Sequence, residues 1–405
     1  MKKIVIYAFI CAFCGKCFAQ QSITLNAAID TALKNNAQLK NEQLKTQYQQ
    51  MLLKTVNTMP STYVLAEAGQ INSIYYDTKI GISQSFSFPK VYKTQKELYN
   101  QEWKSSLLNV DIKKVLLKKQ VTQIFYSIIY LQEKKQLLQS SDSLFTAFYK
   151  KATLRLSKGE SNILEKASAE SQLGQITVQI NQLEQDEKML QIQFQLLLNS
   201  TKSYTPNAKG YKAPIQFLAD TTLLKEHPEI KIIRQQQSIA TANIAVEKSK
   251  LLPDMLAGVS NTSIKGTGAD NNLYSSAKRF SSVQVGVGIP IFIKAQKAKI
   301  NSAKFSKQIA ENEYSAAIQK LQSEYKWAFA QYNKHLQTVQ YFEIKGLQNA
   351  ELVASTANKQ LANGIINYLD WTQLINQVTI VKNEYIDAIK NLNESIVQLN
   401  YFSNK

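Results

Sequence analysis

Residues that carry chemistry or break regular structure are scarce in this 405-residue chain: 3 cysteines, 2 histidines, 7 prolines and 13 glycines. All three cysteines, Cys11, Cys14 and Cys17, lie at the extreme N-terminus, so the rest of the chain can form no disulfide, thiolate metal site or nucleophilic thiol. His227, beside Pro228 at an expected helix start, and His335, in a long helical stretch, stand far apart, and GxSxG, Walker and HExxH motifs are all missing. An enzyme is not expected, and neither is a cofactor or a metal site. No stretch after the N-terminus reaches the ~18 consecutive apolar residues of a membrane-spanning helix.

Acidic residues are also in the minority, 30 against 48 basic, for a net charge of +18. Such a balance can mark nucleic-acid or anionic-membrane partners. Here, however, lysine is spread along every helical stretch among Gln, Asn and Glu, which fits solvated helix surfaces, and no nucleic-acid partner is expected.

At the N-terminus, Lys2 and Lys3 precede an apolar run from Ile4 to Phe13, and Cys17-Phe18-Ala19 offers small residues at the positions a signal peptidase reads. The pattern predicts a signal peptide over 1–19 and a mature start at Gln20. A lipid anchor on Cys14 or Cys17 is the rival reading, and the preceding Phe13 and Lys16 fit it poorly.

The few prolines and glycines fall in a repeating order. Pro60 and Pro253, then Pro89 and Pro290, then Gly159 and Gly364 mark equivalent points in two halves, with 70 and 74 residues from the second proline to the glycine. Each half reads as a helix, two short strands, and a long helical hairpin. The expected division is a first repeat over 20–205, an irregular linker over 206–222 and a second repeat over 223–405.

Between Lys90 and Lys158 there is neither Gly nor Pro, enough for a continuous helix of ~100 Å. Leu108, Ile112, Val115, Val121, Ile124, Phe125, Ile128 and Ile129 recur at spacings of three and four, a stripe that calls for neighbouring helices. After Gly159 a second pattern returns through Ile163, Leu173, Ile176, Ile180, Leu183 and Leu190. The second repeat reads likewise, from Ile291 to Asn363 with only Gly346 interrupting, then from Ile365 to about Leu399. Long antiparallel hairpins of coiled-coil type are expected.

The strands alternate. Ile80, Ile82, Phe86 and Phe88 are interleaved with Gly81, Ser83, Ser85 and Ser87; Val283, Val285, Val287 and Ile289 with Ser282, Gln284, Gly286 and Gly288. Greasy-out, small-polar-in alternation over roughly 9–11 residues suits a transmembrane β-barrel. The preceding partners, roughly Thr62–Ile71 and Met255–Ile264, alternate less cleanly. Four strands cannot hide their own edges, so oligomerisation is implied. Tyr63, Tyr75, Tyr76, Tyr274, Phe280 and Phe292 near strand ends are candidates for interfacial girdles.

With these features in place the chain resembles the TolC family of outer-membrane efflux proteins. Ile23-Thr24-Leu25-Asn26-Ala27-Ala28-Ile29 and Leu33-Lys34-Asn35-Asn36-Ala37-Gln38-Leu39 are similar to the family's first helix, and Glu226-His227-Pro228-Glu229-Ile230 to its counterpart in the second repeat. Phe86-Ser87-Phe88-Pro89 and Gly288-Ile289-Pro290-Ile291-Phe292 resemble its strand-to-helix crossings. The resemblance implies a mainly helical fold with a membrane β-barrel portion: a homotrimer with four strands per chain in a twelve-stranded barrel, continued by a periplasmic tunnel of helical hairpins. It also implies contact with outer-membrane lipid, a periplasmic adaptor and an inner-membrane pump.

Arg155-Leu156-Ser157-Lys158-Gly159 and Leu361-Ala362-Asn363-Gly364 match the family's hairpin tips, implied to dock the adaptor at the periplasmic mouth. Glu165 and Asp370, each six residues after its glycine, are the implied acids of the pore constriction; the alternative is that each only complements the positive end of its returning helix. The family's basic latch residue is replaced by Ile366, which puts a salt-bridged closed mouth in doubt. Gly69-Gln70-Ile71-Asn72-Ser73, Ser83-Gln84-Ser85-Phe86 and Leu131-Gln132-Glu133-Lys134 look most like the modules that accompany heavy-metal resistance-nodulation-division pumps of the CusA and CzcA type. The chain has no Met, His or Cys cluster to select a metal, so selection would fall to the pump. Drug export or type I protein secretion remains an alternative, and a structural or adhesive coiled-coil envelope protein is the rival from another class.

Overall fold

The computed structural model describes residues 21–403 except 73, 209 and 216–220. The signal peptide and cleavage point expected at 1–19, with all three cysteines, lie outside them. The described chain divides into two compact units, each drawing on both halves of the sequence: one takes Glu42–Val110 and Pro228–Gln319, the other Asp111–His227 and the described parts of Met1–Asn41 and Lys320–Lys405.

The first of these units holds a four-stranded antiparallel sheet of β2 (Tyr63–Gly69), β3 (Asp77–Phe86), β5 (Asp254–Ser263) and β8 (Arg279–Gly288), in the order β2-β3-β5-β8. The register aligns Val64, Ile82, Val259 and Val283 in one row across all four strands. Phe86, Met255 and Val287 form another row on the same face. Gly81, Ser83, Ser85, Gly258, Ser260, Ser282 and Gly286 fall on the opposite face, because successive side chains alternate. The expected greasy and small-polar faces are therefore both present. Val283 and Val285 are 79% and 78% exposed, so the apolar face has no cover among the described residues. Nor do the outer edges of β2 and β8 have a partner strand among the described residues. The aromatic candidates sit at both ends of the sheet: Tyr63 and Phe292 near the helices, Tyr75, Tyr76, Tyr274 and Phe280 near the loops. A small hairpin of β6 (Gly266–Thr267) and β7 (Leu273–Tyr274) caps the loop end.

The two crossings from sheet to helix are built differently. Helix α3 (Pro89–Ser157) starts on Pro89 itself, at the first helical position where a missing N–H removes no bond. Helix α6 (Lys294–Tyr341) starts three residues later than the expected Ile291. There Ile293 N–H donates to Ile291 C=O at 3.2 Å in a tight turn, and the first helical bond runs from Lys297 N–H to Ile293 C=O at 2.9 Å. Helix α5 (Pro228–Ser249) lies beside these segments, with Thr94 Oγ1 2.9 Å from Ser249 Oγ and Gln296 Nε2 donating to Glu247 C=O at 2.8 Å.

In the second unit α1 (Leu25–Asn35) and α2 (Ala37–Leu52) meet at Asn36, whose Nδ2 donates to Leu197 C=O on helix α4 (Ile163–Leu198) at 3.0 Å. Two three-residue strands, β1 (Gln21–Ile23) and β4 (Tyr204–Pro206), pair in parallel. Buried Leu117, Leu131, Leu138, Phe145 and Ala152 on α3 lie at multiples of seven, and Ala169, Ile176 and Leu183 on α4 lie seven apart. A seven-residue repeat drifts on an unperturbed α-helix and favours left-handed supercoiling. With Ala357 from α7 (Leu347–Ala362) and Trp371 and Ile375 from α8 (Tyr368–Ser403), the residues from Leu131 to Ala152 and from Ala169 to Leu183 form one apolar core. Gly346 does not end the helical run; it closes a π turn, Phe342–Gly346, between α6 and α7. His227 is buried, its Nε2 3.1 Å from Tyr401 C=O. His335 is half-buried, and desolvation with nearby Lys334 lowers its pKa.

Candidate functional site

Both hairpin tips lie in the second unit and use one backbone device. At the first, Gly159 takes φ +73°, Glu160 N–H donates to Arg155 C=O at 2.9 Å and Gly159 N–H to Leu156 C=O at 3.1 Å. At the second, Gly364 takes φ +71°, with Ile365 N–H on Gln360 C=O at 2.9 Å and Gly364 N–H on Leu361 C=O at 3.1 Å. This is the Schellman arrangement, which needs a left-handed residue and satisfies the last carbonyls of the helix. A Cβ on either glycine would meet open space, so the requirement is conformational rather than steric.

Three residues after each glycine an asparagine caps the returning helix. Asn162 Oδ1 accepts from Leu164 N–H at 3.0 Å and Glu165 N–H at 3.3 Å, and Asn367 Oδ1 accepts from Asp370 N–H at 2.9 Å. Glu165 and Asp370 thus occupy the same first-turn position of α4 and α8, where a negative charge complements the helix N-terminus. The Gly-x-x-Asn spacing was legible in the sequence as a C-cap followed by an N-cap.

Beyond the backbone the tips differ. Arg155 Nη1 lies 3.2 Å from Glu165 Oε2, its Nη2 donates to Glu160 C=O at 3.1 Å, and its guanidinium stands 4.8 Å from the centroid of Tyr368. Tyr368 stacks on Phe148 at 5.2 Å, and buried Trp371 donates its indole N–H to Asn358 Oδ1 at 2.8 Å. Arg155 therefore ties the first tip to the base of the second. Only 12% of the Glu165 side chain is exposed. Asp370 is exposed, with no ion pair recorded to its carboxylate among the described residues. Position by position, Arg155 and Lys158 of the first tip correspond to Gln360 and Asn363 of the second, which removes both cations.

Of the remaining tip residues, Ser157, Lys158, Ala362 and Asn363 are exposed, while Leu156 and Leu361 are half-buried. Ile366 packs against the apolar core. Far from the tips in sequence, the segment after β4 is strapped to α8: Asn393 Oδ1 accepts from Ala213 N–H at 2.8 Å, its Nδ2 donates to Tyr211 C=O at 2.6 Å, and Asn400 Nδ2 donates to Pro214 C=O at 2.8 Å. Lys212 pairs with Glu343 at 2.7 Å. Tyr385 also donates to Glu343, and burial together with that carboxylate pushes its pKa up to about 12. None of these strap contacts was read from the sequence. Among the described residues no group of three or more His, Cys, Asp or Glu side chains is placed to hold a metal ion.

Residues 221–403 match the sequence model of the family described as Outer membrane efflux protein. The fold is similar to that of CusC, with a TM-score of 0.77 and 17% identity over 93% of this chain and 91% of that one. It is similar to the Campylobacter jejuni CmeC outer membrane channel at 0.78 and 15% identity, over 94% and 85%. The open state of the Neisseria gonorrhoeae MtrE outer membrane channel gives 0.73 and 17%, over 94% and 88%. No curated protein sequence matches. The strand pairs and long helical hairpins of this chain thus have the fold of these outer-membrane channel structures. The family match covers the second half of the chain, and the likeness in fold extends over nearly all of it.

Proposed function

We propose that this chain is the exit duct of a tripartite efflux assembly. Three copies would join β8 of one to β2 of the next, closing a twelve-stranded barrel in the outer membrane and gathering the helical hairpins into a periplasmic tunnel. The observation that carries this reading is the open sheet: four strands with two free edges and an uncovered apolar face cannot stand alone in either water or lipid. The same sheet argues against a purely coiled-coil envelope protein. Native mass measurement in mild detergent is expected to give a trimer, and cysteine pairs placed across β2 and β8 should cross-link neighbouring subunits. Monomers with closed barrels would end the proposal.

The exposed rims, Ser157, Lys158 and Gly159 on one tip and Ala362, Asn363 and Gly364 on the other, are the surfaces offered to a periplasmic adaptor, and through it to an inner-membrane pump of the resistance-nodulation-division class. Small solutes are the expected cargo, heavy-metal cations among them, on the likeness of the strand and helix segments quoted above to metal-pump modules. Asp370 would line the mouth in three copies. Confinement raises the influence of such charges over that on an open surface, and their unpaired state here supports a role in favouring cations. A strain lacking the gene should lose metal tolerance and regain it on complementation; unchanged metal tolerance with lost drug or dye tolerance would favour the drug-export alternative.

A further inference from the structure

The charge of the chain is concentrated where the sheet meets the long helices. From Thr78 to Lys96 and again from Asn271 to Ala310 there is no Asp or Glu, runs of 19 and 40 residues, although both contain several cations. In each repeat the helix leaving the sheet opens with lysines three apart, Lys90, Lys93 and Lys96 on α3 and Lys294 and Lys297 on α6. All five are exposed, and none makes an ion pair among the described residues. On α3 they lie on the side away from half-buried Val91, Gln95 and Leu98, while Thr94 bonds inward to Ser249. Directly before them the apolar face of the sheet runs out through Phe88, Ile289 and Ile291 to Phe292, which is 96% exposed.

An apolar band, an aromatic edge and then a row of unpaired lysines is the order of surfaces a bilayer presents in reverse: acyl chains, the interfacial zone and headgroups. A generic solvated helix surface would mix acids with the lysines, as α4 does with Glu184, Asp186, Glu187 and Lys188. We infer that these five lysines form a collar that binds anionic phospholipid headgroups of the periplasmic leaflet. The inference rests on the outer-membrane duct reading and adds a lipid class to it.

The test uses the full chain in mild detergent, exposed to equal amounts of phosphatidylglycerol and phosphatidylethanolamine and analysed by native mass spectrometry. Wild type should retain phosphatidylglycerol about fivefold over phosphatidylethanolamine, a preference that shrinks as ionic strength rises. Changing Lys90, Lys93, Lys96, Lys294 and Lys297 to Gln should bring the ratio near one, while changing the same five to Arg should keep it. Changing Lys40, Lys150, Lys151, Lys188 and Lys326 to Gln, five exposed lysines elsewhere, should also keep it. A Gln collar that retains the preference, or a control that loses it equally, overturns the collar. The same spectra report assembly: a wild-type trimer without lipid preference defeats this inference alone, whereas a wild-type chain that never assembles or inserts defeats the duct reading and the collar together.

Discussion

Around Gly159 the first-turn acid, Glu165, is held by Arg155 at 3.2 Å and largely covered, whereas around Gly364 the corresponding Asp370 stands exposed and makes no ion pair among the described residues. The two tips share the left-handed glycine and the same pair of Schellman hydrogen bonds. Closing a helical hairpin therefore fixes the left-handed glycine, the Schellman bonds and the asparagine cap, but it does not fix the charge around them. That was free to diverge between the repeats, and it did so through Arg155 against Gln360 and Lys158 against Asn363. The acid of the first tip is internally tied; that of the second makes no ion pair among the described residues.

The largest effect expected strikes what the tips share. Gly159→Val with Gly364→Val forces β-branched residues into left-handed backbone, costing about 1–3 kcal/mol at each tip. Adaptor capture and efflux should be lost while the detergent-extracted trimer persists. Full adaptor capture by the double variant would remove the tips from the docking surface.

Next come the caps. Asn162→Ala and Asn367→Ala should each lower stability by about 1 kcal/mol, read as a shift in denaturant midpoint. Asn162 should cost the more, since it accepts two hydrogen bonds against one. Equal or reversed costs would mean that the two helix starts are held by something other than their caps.

Smaller still is the ion pair. Arg155→Ala should destabilise by roughly 0.5–1 kcal/mol, because the pair is partly solvated, and it should leave Glu165 without its partner. If the comparison is right, this variant gains cation selectivity in planar-bilayer recordings, since a second set of acids is uncovered. The converse substitution, Gln360→Arg, supplies the second tip with the first tip's cation and should lower selectivity slightly. No change in selectivity for either variant would show that pairing with the arginine does not govern these acids.

The helices and the sheet were legible because their signals are local. The Gly-free and Pro-free stretch predicts α3 to within a residue at each end, and alternation assigns the faces that β3 and β8 display, while the less regular β5 takes its faces from its register with them. The tips were half legible: Arg155, Glu165 and Asp370 were each picked out, but the ion pair between positions ten apart depends on the chain reversing between them. Asn162 and Asn367 carry a helix-start signal, each three residues after its glycine. The β1–β4 pair joins three-residue strands far apart in sequence, too short for any periodicity to register. Asn393 and Asn400 lie seven apart on α8 and look like solvent-facing polar residues until the strap is seen lying across them. The offset start of α6 was hidden because Pro290 resembles Pro89 in sequence yet sits in a turn ahead of the helix rather than at its first position.

The central claim, that the two structurally equivalent acids play different parts, is tested most directly by reversal potentials in planar bilayers under a salt gradient for wild type, Asp370→Asn and Glu165→Gln. Both substitutions keep side-chain shape nearly unchanged and remove charge. The account predicts that Asp370→Asn loses most of the cation selectivity and weakens block by trivalent cations, while Glu165→Gln leaves selectivity close to wild type and lowers thermal stability. Equal losses from the two, or unchanged selectivity and block with only stability lowered in both, would contradict it and leave the carboxylates as helix-end complements alone.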